Sequence, residues 1–219
     1  MVSLEDINLF IDGFYKPLDN EMVQLRQGEK EYVPYIRKQT ESFIGVVLQL
    51  LKPKKILELG TAIGYSAIYM AKKSPETIIY TIERDEAAAK EAEENIEKAG
   101  LSDRIHVLKG ECLNMLEELD ERDIRDFDIL FIDAAKSHYR EFLDMGLRLL
   151  KEGALVLSDD VLQRGITLKD EEDPEGKHRT SSRNMREYLK YISEDQRFET
   201  AILNIGDGLA MTVYKGKNE

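Results

Sequence analysis

Four side chains in the second half of the chain have types and spacing that could do chemistry. Asp133 closes the apolar run in "FIDAAKSHY", and Asp159 and Asp160 close the one in "LSDDVL". Three carboxylates brought together repel one another unless a cation joins them. An all-oxygen set suits a hard ion, Mg²⁺ or alternatively Mn²⁺ or Ca²⁺. No histidine or cysteine spacing favours zinc. Each acid alone has a plainer explanation, Asp133 as a helix cap and "SDD" as a turn. Their joint placement at two strand ends is what favours metal. Lys136 follows Asp133 by three residues, at a helix start, where a cation opposes the helix dipole. A solvated surface lysine is the plain reading. A base or an electrostatic partner at a reacting oxygen is the functional one.

A second constellation lies in "KILELGTAIGYSAIYMA", from Lys55. Apolar residues break at Gly60 and resume at helical spacing. Gly60, Ala62 and Gly64 keep small side chains at every second position, as if something approaches the backbone there. A dinucleotide fingerprint would place its third glycine at position 65, which is Tyr65. The observed pattern, Glu58-x-Gly60-x-Ala62-x-Gly64, resembles the first motif of S-adenosylmethionine-dependent methyltransferases. Glu83 lies 23 residues after Gly60 and can accept hydrogen bonds from both hydroxyls of a ribose. A tight turn and an unrelated strand-end acid remain the alternative.

These residues need elements to position them. Helical spacing marks "LEDINLFIDGF", a run after Asp19 and another from about Pro34 to Leu51. Strands then alternate with helices. "KKILELG", "TIIYTIE", "RIHVLKG", "FDILFID" and "GALVLSDD" read as strands. Helices follow Gly64, run from the Asp85 cap to Gly100, extend from about Lys136 to Leu150, and cover Arg183 to Ser193. "ETAILNI" and "LAMTVYK" around "GDG" read as a hairpin. The expected fold is α/β: a mainly parallel, Rossmann-like sheet of seven strands with a C-terminal antiparallel hairpin and N-terminal helices. The expected organisation is one domain, 1–219, with a helical cap (1–52) on a core (53–219). Ligands bind such sheets beyond the strands' carboxyl ends, which selects Gly60 to Ser66, Glu83, Gly110 to Cys112, Asp133 to Lys136, and Ser158 to Asp160.

Composition narrows the partners. With 219 residues, 42% hydrophobic and 34% charged, the chain has the mix of a soluble globular protein. A net charge of -12 makes nucleic-acid binding a matter of a local patch. The single cysteine, Cys112, fits a cytoplasmic setting. The first residues carry early acids and no basic region, so a signal peptide is not expected. The longest apolar patch is too short for a bilayer, so no membrane partner is expected.

The runs "LELGTAIGYSAI", "IER", "FIDAAKSHY", "SDDVL" and "GDGLA" together make the chain similar to the metal-dependent O-methyltransferases related to catechol and caffeoyl-CoA O-methyltransferases. The family's D-x-x-K-x-x-Y motif appears as Asp133, Lys136 and Tyr139. Where the family commonly has Asp-Asn, this chain has Asp159-Asp160, still with oxygen ligands. The resemblance implies a Rossmann-like class I methyltransferase with S-adenosyl-L-methionine held by Val33, Gly60, Thr61, Tyr65, Ser66, Glu83, Arg84, Glu111 and Asp133. Gly110 joins that group by its place at a strand end. It implies Asp133, Asp159 and Asp160 as metal ligands, Asp133 and Lys136 as catalytic residues, and a homodimer. Within the family the chain resembles the bacterial tRNA 5-hydroxyuridine methyltransferases, on "GTAIGYSAI", "YTIER", "DRIHV", "FIDAAK" and "GDGLA".

A metal between three acids would take two adjacent oxygens of an acceptor and lower the pKa of a hydroxyl. A catechol has such a pair, and so does 5-hydroxyuridine, so the metal site does not separate these acceptors. The region beyond it does differ. After "DEEDPE", Lys177, His178, Arg179, Arg183, Arg186 and Lys190 face one acid, Glu187. A solvated helix is one reading. A phosphate-contacting patch for a tRNA anticodon loop is the other, extended by Arg26, Lys30, Arg37 and Lys38. Tyr139, Arg164, Arg179 and Arg183 are the candidate acceptor contacts. The chain lacks tryptophan, which leans away from an aromatic-walled pocket for a small phenol.

Overall fold

The computed structural model describes residues 2–27, 35–173 and 175–216. Three helices open the chain. α1 (Leu4–Asp12) begins with a capping box: the Ser3 hydroxyl accepts from the Asp6 N–H while the Asp6 carboxylate accepts from the Ser3 N–H. α2 (Asn20–Gln27) starts where the Asp19 carboxylate accepts from the Met22 N–H at 2.9 Å. α3 (Lys38–Leu51) begins four residues later than its apolar spacing predicts. α1 buries none of its own residues, whereas α3 packs Ile44, Val47 and Leu48 inward.

Five parallel strands follow: β1 (Lys55–Leu59), β2 (Ile78–Glu83), β3 (Ile105–Lys109), β4 (Phe127–Ile132) and β5 (Leu150–Ser158). β1 and β4 each bury at least four successive positions, the pattern of strands covered on both faces. The hairpin of β6 (Phe198–Leu203) and β7 (Leu209–Tyr214) adds antiparallel strands beside β5. The order is β3-β2-β1-β4-β5-β7-β6. Chain direction across the sheet reverses between β1 and β4, where open α/β sheets form their ligand crevice.

Helices cover both faces. α4 (Tyr65–Lys73) and α5 (Glu86–Lys98) join α3 on one, around Ile68, Met70, Ala92 and Ile96. α5 is capped by Asp85, whose carboxylate accepts from the Ala88 N–H at 2.8 Å. Such a cap contributes about 1 kcal/mol. The other face carries α6 (Cys112–Glu121), α7 (Tyr139–Gly146) and α8 (Arg179–Glu194), around Leu116, Phe142, Met185 and Tyr188.

Besides the start of α3, three further features differ from expectation. No helix is expected over 112–121, yet α6 forms there by burying Cys112, Leu116 and Leu119 among its acids. The helix expected over Lys136 to Leu150 is shorter. A 3-10 turn, Lys136–His138, leads into α7, which ends at Gly146, and Leu150 already belongs to β5. α8 starts four residues before Arg183. Among the described residues no helix is long and apolar enough to cross a membrane.

Candidate active site

Backbone hydrogen bonds tie the strand ends into one edge. The N–H groups of Gly60 and Thr61 donate to the Ile82 carbonyl, and the Gly110 N–H donates to that of Glu83. Asp133 N–H donates to Leu59, and Asp159 N–H to Ile132, each at 2.9 Å. The candidate residues therefore stand side by side across the end of the sheet from β3 to β5. Sequence separations of up to about 100 residues collapse because parallel pairing brings all these strand ends to one edge.

The glycine turn is shaped mainly by the protein itself. Gly60 has φ +98°, and a Cβ there would lie 2.0 Å from the Asp133 carbonyl oxygen. A Cβ on Gly64, at φ +86°, would stand 3.3 Å from the Ala92 Cβ. What approaches the backbone at Gly60 is thus the end of β4 itself. Ala62 takes φ +46°, and its N–H donates to Glu83 Oε2 at 2.8 Å. Glu83 Oε1 accepts from the Asp85 N–H, so the carboxylate is oriented by two backbone donors and remains part-exposed at the end of β2.

Below the turn runs a buried relay. Thr81 donates to Glu58 Oε2 at 2.5 Å, and its hydroxyl lies 2.6 Å from that of Thr61. Because Thr81 has a single proton, Thr61 is the donor in the second bond. Burial pushes the Glu58 carboxyl up to about 7, against the nearby Ser66 and Thr81 hydroxyls that lower it. Glu58 and Thr61 thus support the turn from beneath, and Ser66 is buried with them. Tyr65 is also turned inward. Its hydroxyl donates to Glu41 at 2.6 Å and accepts from Arg26 at 3.0 Å, which leaves only its backbone at the turn. Arg84 and Glu111 are exposed and 3.9 Å apart. Val33 lies outside the described residues.

At the ends of β4 and β5, Lys136 is the organiser. Its Nζ lies 2.9 Å from Asp133 Oδ1, 3.3 Å from Asp160 Oδ2 and 3.1 Å from the Tyr139 hydroxyl. Burial lowers the lysine pKa, but Tyr139, Asp133 and Asp160 outweigh it and hold the ammonium form well above the usual range. The expected convergence of three acids is not seen as such: among the described residues no three acidic side chains form a group that could hold a metal. The ammonium stands where their charge accumulates. Asp159 is buried, and its Oδ1 has no hydrogen-bond partner among the described residues. Burial and the charge of Asp133 push its carboxyl well up. An orphaned buried carboxylate oxygen is the kind of donor a hard divalent ion takes, while Asp133 and Asp160 are drawn to the lysine instead.

Tyr139 is not an acceptor contact. It is 1% exposed, and its hydroxyl donates to the Asp159 carbonyl at 2.9 Å while accepting from Lys136. It ties the lysine to the end of β5.

The acceptor side is formed by the segment after β5 and by α8. The hairpin tip holds the start of that segment, with Val161 N–H on Gly208 and Leu162 N–H on Asp207. Arg164, in a left-handed conformation at φ +53°, is exposed with its Nε 3.6 Å from Asp207. α8 is fixed to the site by Asn184, which donates to the Ser137 carbonyl at 2.8 Å, and by the Tyr188–Ser158 hydroxyl pair at 2.6 Å. The basic run is smaller than its sequence suggests. Lys177 pairs with Glu175, Lys190 lies 4.0 Å from Glu194, and Arg186 donates to the Thr167 carbonyl. Arg179 and Arg183 are exposed, and among the described residues neither guanidinium has an ion-pair partner. Arg26 does not extend the patch, because Glu41 and the Ile36 carbonyl hold it. Arg37 pairs with Asp207, and Lys30 lies outside the described residues.

A mainly parallel seven-stranded sheet with a terminal antiparallel hairpin, a glycine turn after β1 and an acid after β2 defines a class I methyltransferase fold. The O-methyltransferase family model matches residues 18–215. The chain is 34% identical over 179 residues to a catechol O-methyltransferase of Niastella koreensis, covering 79% of each protein. It is 33% identical over 173 residues to a caffeoyl-CoA O-methyltransferase of Populus kitakamiensis, covering 77% of this chain and 73% of that one. The crystal structure of the O-methyltransferase from Bacillus cereus in complex with S-adenosylhomocysteine aligns with a TM-score of 0.80 at 25% identity, covering 95% and 97% of the two chains. The chain belongs to this O-methyltransferase family, whose methyl donor is S-adenosylmethionine.

Proposed function

We propose that the protein is a divalent-metal-dependent O-methyltransferase of an acceptor with two adjacent oxygens, and that this acceptor is 5-hydroxyuridine at the wobble position of tRNA. The observation that carries the metal is Asp159 Oδ1, buried and without a hydrogen-bond partner among the described residues, within the electrostatic reach of Asp133 and Asp160. These three residues would hold Mg²⁺, which when bound supplies Lewis acidity that lowers the acceptor hydroxyl's pKa. The Lys136 ammonium is suited to hold the acceptor oxyanion, because its surroundings keep it charged. Tyr139 fixes its direction, and the glycine turn with Glu83 orients the methyl donor.

The tRNA reading is supported by Arg179 and Arg183, charged and without an ion-pair partner among the described residues, on the first turns of the helix that Asn184 fastens beside Lys136. Phosphates of a folded RNA loop are a chemical match for such guanidiniums. A small catechol is the second reading, favoured by the names of the curated relatives. Mass analysis of tRNA nucleosides from cells lacking the protein separates the two: loss of 5-methoxyuridine with gain of 5-hydroxyuridine supports tRNA, and an unchanged profile favours the small acceptor. Two copies are proposed to associate through α1 and α3. Leu9, Phe10 and Phe14 are 68–75% exposed, and Val46, Leu50 and Leu51 are exposed on α3.

A further inference from the structure

A buried carboxylate with no contact to Lys136 or the three acids in its hydrogen bonds gathers four chain segments. Glu41, on α3, is 1% exposed. It accepts from the Tyr15 hydroxyl at 2.7 Å, from the Tyr65 hydroxyl at 2.6 Å and from Arg26 Nη2 at 2.6 Å. Arg26, near the end of α2, makes three kinds of contact. Its Nε donates to the Tyr65 hydroxyl, and both terminal nitrogens donate to the Ile36 carbonyl at 3.1 and 3.2 Å. Its guanidinium also lies over the rings of Tyr65, Tyr35 and Tyr15, at 4.6, 5.6 and 5.9 Å from their centroids. The charge is thereby both paired and stacked. The proposed chemistry uses none of these groups.

The destination of this network is Tyr65. It is the first residue of α4, and it follows Gly64 at the end of the turn. Burial and Glu41 push its phenol well above the ordinary range, so it remains a donor to the carboxylate. The turn ahead of it holds three consecutive alternate residues at positive φ, one of them the non-glycine Ala62. From the sheet side that conformation is fixed by Ile82 and Glu83. From the helix side, the hydroxyl of Tyr65 is fixed by Arg26 and Glu41.

We infer that Arg26 and Glu41 are positioning residues for the methyl donor: they clamp α2 and α3 onto Tyr65 and so keep the glycine turn in its binding conformation. Loosening the clamp lowers the fraction of molecules whose turn is competent, and apparent affinity falls by that fraction. The effect falls on donor binding. Lys136 and the three acids are untouched, so turnover at saturating donor is preserved.

The test is calorimetric binding of S-adenosylhomocysteine without acceptor or metal, together with steady-state kinetics. Arg26→Met keeps the stem and removes the charge. It is expected to raise the Kd about tenfold and the KM for S-adenosylmethionine in step, with kcat within about twofold. Tyr65→Phe keeps the ring and removes the hydroxyl, and is expected to shift Kd the same way by about threefold. An unchanged Kd in folded Arg26→Met, or a fall in kcat with Kd unchanged, overturns the inference. If Arg26→Met does not fold, Tyr65→Phe decides by the same criterion. The binding arm contains no acceptor, so failure of the tRNA reading leaves it standing.

Discussion

Lys136 Nζ lies 2.9 Å from Asp133 Oδ1, although the lysine opens a helical segment whose dipole opposes a cation. The carboxylates of Asp133 and Asp160 compensate for that placement. The arrangement makes the lysine dependent on the acids and the acids dependent on a cation. Removing one of the carboxylates proposed to bind metal and removing the lysine should therefore have distinct signatures.

EDTA is expected to abolish methyl transfer, and Mg²⁺ or Mn²⁺ to restore it. Asp159→Ala should lose activity while binding S-adenosylmethionine with unchanged affinity, because Asp159 N–H, not its side chain, holds the strand edge. Full turnover in verified metal-free buffer would remove the metal from the mechanism.

Lys136→Ala is expected to lower kcat by about 10²-fold or more, the scale on which a charge placed at a developing oxyanion acts. Tyr139→Phe frees the lysine from the Asp159 carbonyl and should cost about tenfold, with the donor KM unchanged. Single-turnover assays with bound donor isolate this step. A wild-type rate for Lys136→Ala at every pH would exclude it.

If Arg179 and Arg183 touch phosphates, changing both to Ala should weaken tRNA binding and reduce the slope of log K against log salt by about 2. Activity on a free catechol should survive, since the two guanidiniums are exposed on α8 and the proposed metal-binding acids and the glycine turn are untouched. Equal losses on both acceptors would assign the arginines to the fold. No loss on tRNA would move the small-phenol reading ahead.

Glu58 makes stability depend on pH. Its folded value of about 7 lies above the ordinary 4.5, so folding takes up a proton in that window. The stability involved is present below about pH 4.5 and is lost as pH rises to 7, by about 3 kcal/mol. Glu58→Gln keeps an acceptor for Thr81 and cannot ionise. Urea titrations of donor-free protein should show the variant gaining on wild type between pH 4.5 and 8, and a constant difference would mean that Glu58 does not titrate.

Much of this site could be read before the fold was known, because its residues end apolar runs. Gly60, Glu83, Asp133 and Asp159 each close a strand, and parallel pairing does the rest. α6 escaped because its acids obscure the buried stripe of Cys112, Leu116 and Leu119. The end of α7 escaped because an apolar run such as "LRLL" suits a helix or a strand equally. Tyr139 was legible as part of a motif, but the motif does not say that its hydroxyl points to Asp159. The Arg26–Glu41–Tyr65 network was hidden for another reason. Its members are 15 and 24 residues apart on three helices, and nothing in the local pattern of any one of them announces a partner.

The contact at Gly60 has a genetic consequence. The missing side chain at that position is the space through which the Asp133 carbonyl meets the glycine turn, with no room for a methyl group. A substitution there displaces the end of β4 as well as the turn, so a lesion at residue 60 damages donor binding and the lysine–carboxylate centre together. Suppressors should therefore be rare, since one compensating change would have to repair two sites at once. Variants at Glu83 or Asp159, each touching one site, should be far easier to rescue in a selection.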